Sequence, residues 1–180
     1  LGVDMALEGI EVAKSHMLLD PILAYSGNLR YQVAAVEHLV RDACAYDVVL
    51  ALEIVEHVTE PQLFLQDCAS LVKPGGILVI STLNRTAASY VLGIVAAERI
   101  LKWLPTGTHD WTRFLTPEEI LDFLHSETDV TCDDVIGISF NPLSNSFYIS
   151  GDVSVNYMLV ASKPVLPRAV IDAAAENSSS

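Results

Sequence analysis

Apolar and polar positions alternate along this chain between strand rhythm and helix rhythm almost from end to end. Leu1 to Asp4 reads as the end of a strand, and Leu7 to Leu19 follows with Leu7, Ile10, Val12 and Leu18 at helical spacing. Leu29 to Val33 is a second strand and Val36 to Cys44 a short helix. Tyr46 to Leu52 (YDVVLAL) is a continuous apolar run of strand length, as expected of a central strand covered on both faces. Pro61 to Val72 predicts a helix that Pro74-Gly75-Gly76 ends, turning the chain into a buried strand from Ile77 to Thr82. Ala87 to Trp103 predicts a long apolar helix, and Leu104 to Thr116 a loop with two prolines. Thr116 then caps a helix with Pro117 at its first position and Glu118 and Glu119 in its first turn. Val130 to Phe140 and Val153 to Ser162 are late strands, joined by the turn-rich NPLSNSFYISGD and expected to pair antiparallel.

Strand and helix in alternation, with apolar strands, specify an α/β fold: an open, mostly parallel sheet with helices on both faces and an antiparallel strand near the carboxyl end. The domain is expected to run from 1 to 163, and 164–180, ending AAAENSSS, to be a disordered tail. At 180 residues the chain can bury a core without disulfide or metal staples. Its three cysteines, Cys44, Cys68 and Cys132, are far apart, which supports neither a disulfide framework nor a zinc ribbon. A net charge of -13 excludes a nucleic-acid partner, because a polyanion needs a basic face. The mean hydropathy of +0.39 excludes disorder and points to tight packing or contact with lipid.

Ligands of such sheets sit at the carboxyl ends of the strands. Asp4 ends the first strand, where a carboxylate can accept both hydroxyls of a nucleotide ribose or simply cap the next helix. Glu53, Glu56 and His57 follow the apolar strand in LEIVEHV; were the chain helical there, positions i, i+3 and i+4 would share a face and suit a divalent cation. The alternative is a solvated acidic turn. His109, in PTGTHDW, can act as a base, line a lid or make a surface hydrogen bond.

GVD followed by a helix, then YDVVLALEIVEHV, LVKPGGILVISTLNRT, ILKWLPTGTHDW, and FNP with VNYM together resemble the ubiquinone-biosynthesis O-methyltransferase family. EHV and KPGG mark only the wider superfamily of class I S-adenosylmethionine (SAM)-dependent methyltransferases, whereas LNRT, WLPTGTHDW and NPLSNSF select this family. The resemblance implies a Rossmann-like methyltransferase sheet and methylation of a catechol-like hydroxyl on a polyprenylated ubiquinone precursor. It places Asp4 on the SAM ribose, Leu52 against the cofactor, and Glu53, Glu56 and His57 on a divalent metal, magnesium being the expected ion. Glu56 and His57 are then the catalytic residues, with His57 as a metal-free general base the competing role. The glycine-rich loop that family members place after their first strand does not occur in this sequence, so the chain is expected to be incomplete at its N-terminus. With that central strand gone, two apolar strands lose their shared neighbour and the chain alone is expected to be unstable.

The resemblance further implies the matrix face of the mitochondrial inner membrane, or a membrane-associated place in bacterial cytoplasm, and other ubiquinone-biosynthesis proteins as partners. Tyr90 to Leu104 is too short to span a bilayer and is expected to lie in its interface, with Trp103 at headgroup depth and Arg99 and Lys102 facing phosphates. Two other readings stand beside the enzyme. One is a non-catalytic truncated isoform or membrane-associated assembly subunit; the other is a nucleotide-dependent oxidoreductase fragment, which leaves LEIVEH and WLPTGTHDW unexplained.

Overall fold

The computed structural model describes residues 1–91 and 110–165, and the chain divides into two compact units, residues 1–44 and 45–180. In the first unit, β1 (Gly2–Asp4) pairs in parallel with β2 (Tyr31–Val33), in the register Gly2 to Tyr31 and Asp4 to Val33. Parallel neighbours require a crossover, which α1 (Leu7–Leu19) and α2 (Pro21–Ser26) supply before α3 (Val36–Arg41) follows β2. Ile10, Ala34 and Leu39 are its buried apolar residues. The expected sequence of elements leaves out α2, although its signals are present. Asp20 caps it by accepting from the Ile22 and Leu23 amides at 2.8 and 3.3 Å, Pro21 opens it, and Gly27 closes it at a φ of 67°.

The second unit holds β3 (Tyr46–Leu52), α4 (Pro61–Ser70), β4 (Val72–Leu83), α5 (Ala87–Ser89), a 3-10 turn at Trp111–Arg113, α6 (Pro117–Glu127), β5 (Thr131–Asn141), β6 (Ser146–Ser150) and β7 (Asn156–Ser162). Its sheet has the order β3-β4-β7-β5-β6. Strands β3, β4 and β5 run one way, while β7 lies antiparallel between β4 and β5, and β6 antiparallel beyond β5. The two late strands therefore pair as expected, and α6 starts where expected: the Thr116 hydroxyl accepts from the Glu119 amide while the Glu119 carboxylate accepts from the Thr116 amide at 2.9 Å.

Three expectations give way. Helix α4 stops at Ser70, because Val72 is already paired with Tyr46; the next paired residue of β4 is Ile77, on Val48, so KPGG is a bulge inside a strand rather than the end of a helix. Gly75 sits in the bulge at a φ of 81°, and Lys163 clamps it, accepting from the Gly75 amide at 2.7 Å and donating to the Gly76 carbonyl at 2.9 Å. Strand β3 is not covered on both faces. Among the described residues it pairs with β4 alone and leaves Val48, Leu50 and Leu52 at 52%, 61% and 45% exposure, with Ala51 its one buried residue. The stretch read as turns contains β6: Asn145 takes a positive φ of 50°, the chain reverses, and Phe147 meets Phe140 with ring centroids 5.0 Å apart. The segment from residue 92 to 109, which carries most of the expected long helix and His109, and the tail from 166 lie outside the described residues.

The core of this unit forms on one face of the β4–β7 ladder. Leu78 opposes Ala161, Ile80 opposes Leu159 and Thr82 opposes Tyr157, and all six are buried. Strand β7 alternates strictly between buried and half-buried residues, as a strand does when one face packs and the other is wet. Leu65, Cys68 and Ala69 of α4 and Ile120 and Leu124 of α6 are buried as well, and the two helices touch one another and the sheet.

Two outcomes follow from this packing. A Cβ added at Gly76 would lie 2.7 Å from the Asp47 carbonyl oxygen and 2.9 Å from that of Lys73, both backbone atoms. Gly76→Ala is expected to destabilise the protein by about 1–3 kcal/mol, seen as a lowered urea midpoint. Tyr157 is fully buried, its hydroxyl donating to the Leu115 carbonyl at 3.0 Å; burial first, and then the nearby Glu119, Glu118, Glu56 and Glu53 carboxylates, hold its phenol well above the ordinary tyrosine range. The unfolded chain releases that proton near pH 10 while the native state keeps it. Stability is expected to fall above pH 10 by about 1.4 kcal/mol per pH unit, and the tyrosinate absorbance of Tyr157 to appear only with unfolding.

Candidate active site

Beyond Leu52 the chain leaves β3 through a sharp reversal. Glu53 takes a φ of 53°, a left-handed conformation that costs a non-glycine residue about 1–3 kcal/mol unless its surroundings enforce it. Here they do. The Glu53 amide donates to the Ser81 carbonyl at 2.9 Å, the Ser81 hydroxyl donates to Glu53 Oε1 at 2.6 Å, and Asn156 Nδ2 donates to the same oxygen at 3.2 Å. The His57 amide then donates to the Ile54 carbonyl at 2.9 Å, so residues 54–57 form a turn and not a helix.

Glu56 lies on the other side of the sheet. It is 3% exposed, and Thr82 Oγ1 donates to its Oε2 at 2.7 Å. Its Oε1 is buried and has no hydrogen-bond partner among the described residues. His57 Nε2 stands 3.9 Å from that oxygen, on a side chain 49% exposed. A buried carboxyl oxygen left unsatisfied costs about 1–3 kcal/mol, so a fold that keeps one has a use for it.

Ser81 and Thr82 are consecutive residues of β4, and consecutive side chains of a strand point to opposite faces. Glu53, tied to Ser81, is therefore held on the face of Met158 and Asn156, while Glu56, tied to Thr82, is held on the buried face of Tyr157. The helical face expected of Glu53, Glu56 and His57 is therefore not formed. That face needed helical spacing, the segment is a turn that starts from a left-handed residue, and among the described residues no group of three or more His, Cys, Asp or Glu side chains is placed to hold a metal ion.

In the first unit Asp4 ends β1, and its Oδ1 accepts from the Ala6 amide at 2.8 Å, bracing the turn into α1. The expected helix cap is not formed: the N-cap of α1 is Ala6, and Asp4 accepts from the amide of that residue, in the turn ahead of the helix. Leu52 ends β3, 45% exposed. Three hydrogen-bond partners of these glutamates are not among the expected site residues: Ser81, Thr82 and Asn156. The signal for the first two was visible as the change from apolar ILVI to polar ST within one strand, at its carboxyl end. Asn156 had no such signal, because its contact with Glu53 bridges 103 positions of sequence.

Comparison with known proteins places this geometry in a class. A methyltransferase-domain family model matches residues 1–80. The structure resembles a SAM-dependent methyltransferase from Thermotoga maritima (TM-score 0.62, 14% identity, 91% of this chain and 72% of that one). It also resembles the N-methyltransferase NodS from Bradyrhizobium japonicum, solved with S-adenosyl-L-homocysteine (TM-score 0.56, 13% identity, 90% of this chain and 65% of that one). The fold is thus the Rossmann-like α/β fold of class I methyltransferases.

Sequence relatives narrow the class. The chain is 38% identical over 164 residues to the ubiquinone biosynthesis O-methyltransferase of Glaesserella parasuis, covering 88% of this chain and 67% of that protein. It is 40% identical over 161 residues to that of Rhodopseudomonas palustris (89% and 61%) and 42% identical over 158 residues to that of Pelagibacter ubique (88% and 63%). The chain belongs to the ubiquinone biosynthesis O-methyltransferase family, and it spans 61% to 67% of the length of these relatives.

Proposed function

We propose that this chain carries out SAM-dependent O-methylation of a catechol-like hydroxyl on a polyprenylated ubiquinone precursor. The observation that carries the reading is Glu56 Oε1, buried at the carboxyl end of β3 and β4 with no hydrogen-bond partner among the described residues and with His57 beside it. Family membership supplies the cofactor class, and the sulfonium of SAM supplies an electrophilic methyl group. Asp4 is the residue for the ribose hydroxyls and Leu52 the apolar contact at the strand end.

The chain's own task is the proton. A phenol with a pKa near 10 keeps its hydrogen at neutral pH and is a poor nucleophile until the hydrogen is taken. Glu56 Oε1 accepts a hydrogen bond from the substrate hydroxyl, and the proton leaves through His57, whose half-exposed ring reaches water. The phenolic oxygen forms its bond to the methyl carbon as the carbon–sulfur bond breaks, and that electron pair stays on sulfur. A positioned base of this kind contributes about 10²–10⁴ in rate.

Magnesium assistance is the finer expectation, and the residues as folded do not fit it. Ser81 and Asn156 engage the Glu53 carboxylate while Thr82 engages that of Glu56, so the two are not gathered as ligands of one ion. The relatives named above are bacterial, which favours a membrane-associated place in bacterial cytoplasm over the mitochondrial inner membrane. Among the described residues no helix is long and apolar enough to cross a membrane.

Asp4→Asn is expected to weaken S-adenosylhomocysteine binding about tenfold at unchanged Tm, measured by calorimetry, because one charge-assisted hydrogen bond is worth roughly 1.5–3 kcal/mol. Unchanged affinity would remove Asp4 from the cofactor site. The partner surface is proposed as a lipid interface for residues 90–104, most of which lie outside the described residues. Liposomes are expected to pull down the full-length protein, and Ile100→Glu with Leu101→Glu to release it at unchanged Tm; cosedimentation unaffected by the pair would refute the interfacial role.

A further inference from the structure

The two glutamates of the LEIVEH turn differ in exposure, in backbone conformation and in partners. Glu53 is exposed, left-handed in its backbone, and engaged through both its amide and its Oε1. Glu56 is buried, reaches one hydroxyl with Oε2, and keeps Oε1 without a hydrogen-bond partner among the described residues. Successive residues of β4 hold them, on opposite faces of the sheet.

We infer that Glu53 and Glu56 are not co-ligands of one ion: Glu53 is a positioning residue that locks the turn, and Glu56 alone of the two meets the ligand. A left-handed non-glycine residue persists only where the surroundings over-determine it, and Ser81 and Asn156 do so by binding Glu53 at two atoms. That lock sets where the next three residues turn, and so carries Glu56 under the sheet to Thr82 and leaves His57 at the rim. The lock needs a hydrogen-bond acceptor at Glu53 Oε1 and nothing more. An amide oxygen serves as well as a carboxylate for that purpose, whereas a metal ligand set loses its charge with either glutamate.

This inference rests on the proposed methyl transfer only for one of its readouts. In the full-length protein, Glu53→Gln is expected to keep turnover within about threefold of wild type at unchanged Tm. Glu53→Ala is expected to lower kcat about tenfold with little change in KM and to lower Tm by about 2–4 °C, because the lock is lost. Glu56→Gln is expected to lower turnover about 100-fold or more with Tm unchanged. Equal loss of turnover in Glu53→Gln and Glu56→Gln at native Tm would overturn the inference, as would a fully wild-type Glu53→Ala.

S-adenosylhomocysteine binding separates the two readings. If it is absent and no variant turns over, the proposed function fails, and this inference is decided by titration with Mn²⁺ alone, read as paramagnetic broadening. Matching losses of Mn²⁺ affinity in Glu53→Gln and Glu56→Gln overturn it. A loss confined to Glu56→Gln, or no Mn²⁺ binding by the wild type, supports it.

Discussion

The pairing of β4 with β7 is the interaction on which the rest of this structure depends. Seven residue pairs, from Ile77 with Ser162 to Leu83 with Asn156, run antiparallel in unbroken register. The pleat of that ladder sorts side chains by parity: Leu78, Ile80 and Thr82 turn to the face of Tyr157 and Leu159, and Ile77 and Ser81 to the opposite face, where Ser81 is itself buried at the strand end. A one-residue slip would exchange the two sets and bring Ser81 beneath the helices. Burial of the β7 side chains Tyr157, Leu159 and Ala161 prevents that slip, so the hydrophobic effect in the core also decides which hydroxyl meets which glutamate.

The site therefore holds its strain against the core. A left-handed Glu53 and an unsatisfied Glu56 oxygen each cost about 1–3 kcal/mol, against a net stability of about 5–15 kcal/mol for a typical domain. Neither would survive on an isolated turn. They survive because β3 delivers Glu53 to Ser81 through a parallel ladder, with Leu52 paired to Ser81 itself, and because Thr82 is fixed between Ile80 and Leu83 in the buried strand. Lys163 strengthens the same frame at its far end: besides clamping the KPGG bulge, it donates to the Ala69 carbonyl at 3.2 Å and pairs with Asp129 at 3.1 Å. One basic residue so joins α4, the bulge and the end of β7.

The elements that were legible in the chain are those whose signal is local. Tyr46 to Leu52 showed its strand by the apolar run from Val48 to Leu52, α1 by spacing, and α6 by Thr116, Pro117 and Glu119 in sequence. The elements that were misread depended on partners. KPGG looks like a helix stop because proline and glycine break helices, yet Tyr46 pairs with Val72 before them and Val48 with Ile77 after them. The strand β6 looks like a loop because serine and asparagine are turn formers, yet five residues of β5 were there to pair with it. The coverage of β3 was also a partner question: apolarity tells that a strand suits burial, and only the strand order tells which of its edges and faces have a neighbour.

For the site, the sequence by itself determined which residues could do chemistry: Asp4 at a strand end, and Glu53, Glu56 and His57 in five residues after an apolar strand, all of them polar groups where a sheet of this class exposes its carboxyl ends. It also determined, through motifs spread from GVD to VNYM, the family to which the chain belongs. Only the tertiary structure decided how those residues are divided. Spacing i, i+3, i+4 places three side chains together if the backbone is helical, and the backbone here is a turn set by hydrogen bonds from Ser81, 28 positions away, and Asn156, 103 positions away. The conformation of five residues was thus chosen by contacts that no local pattern encodes, because the free energy of a left-handed residue is met by partners the fold brings to it.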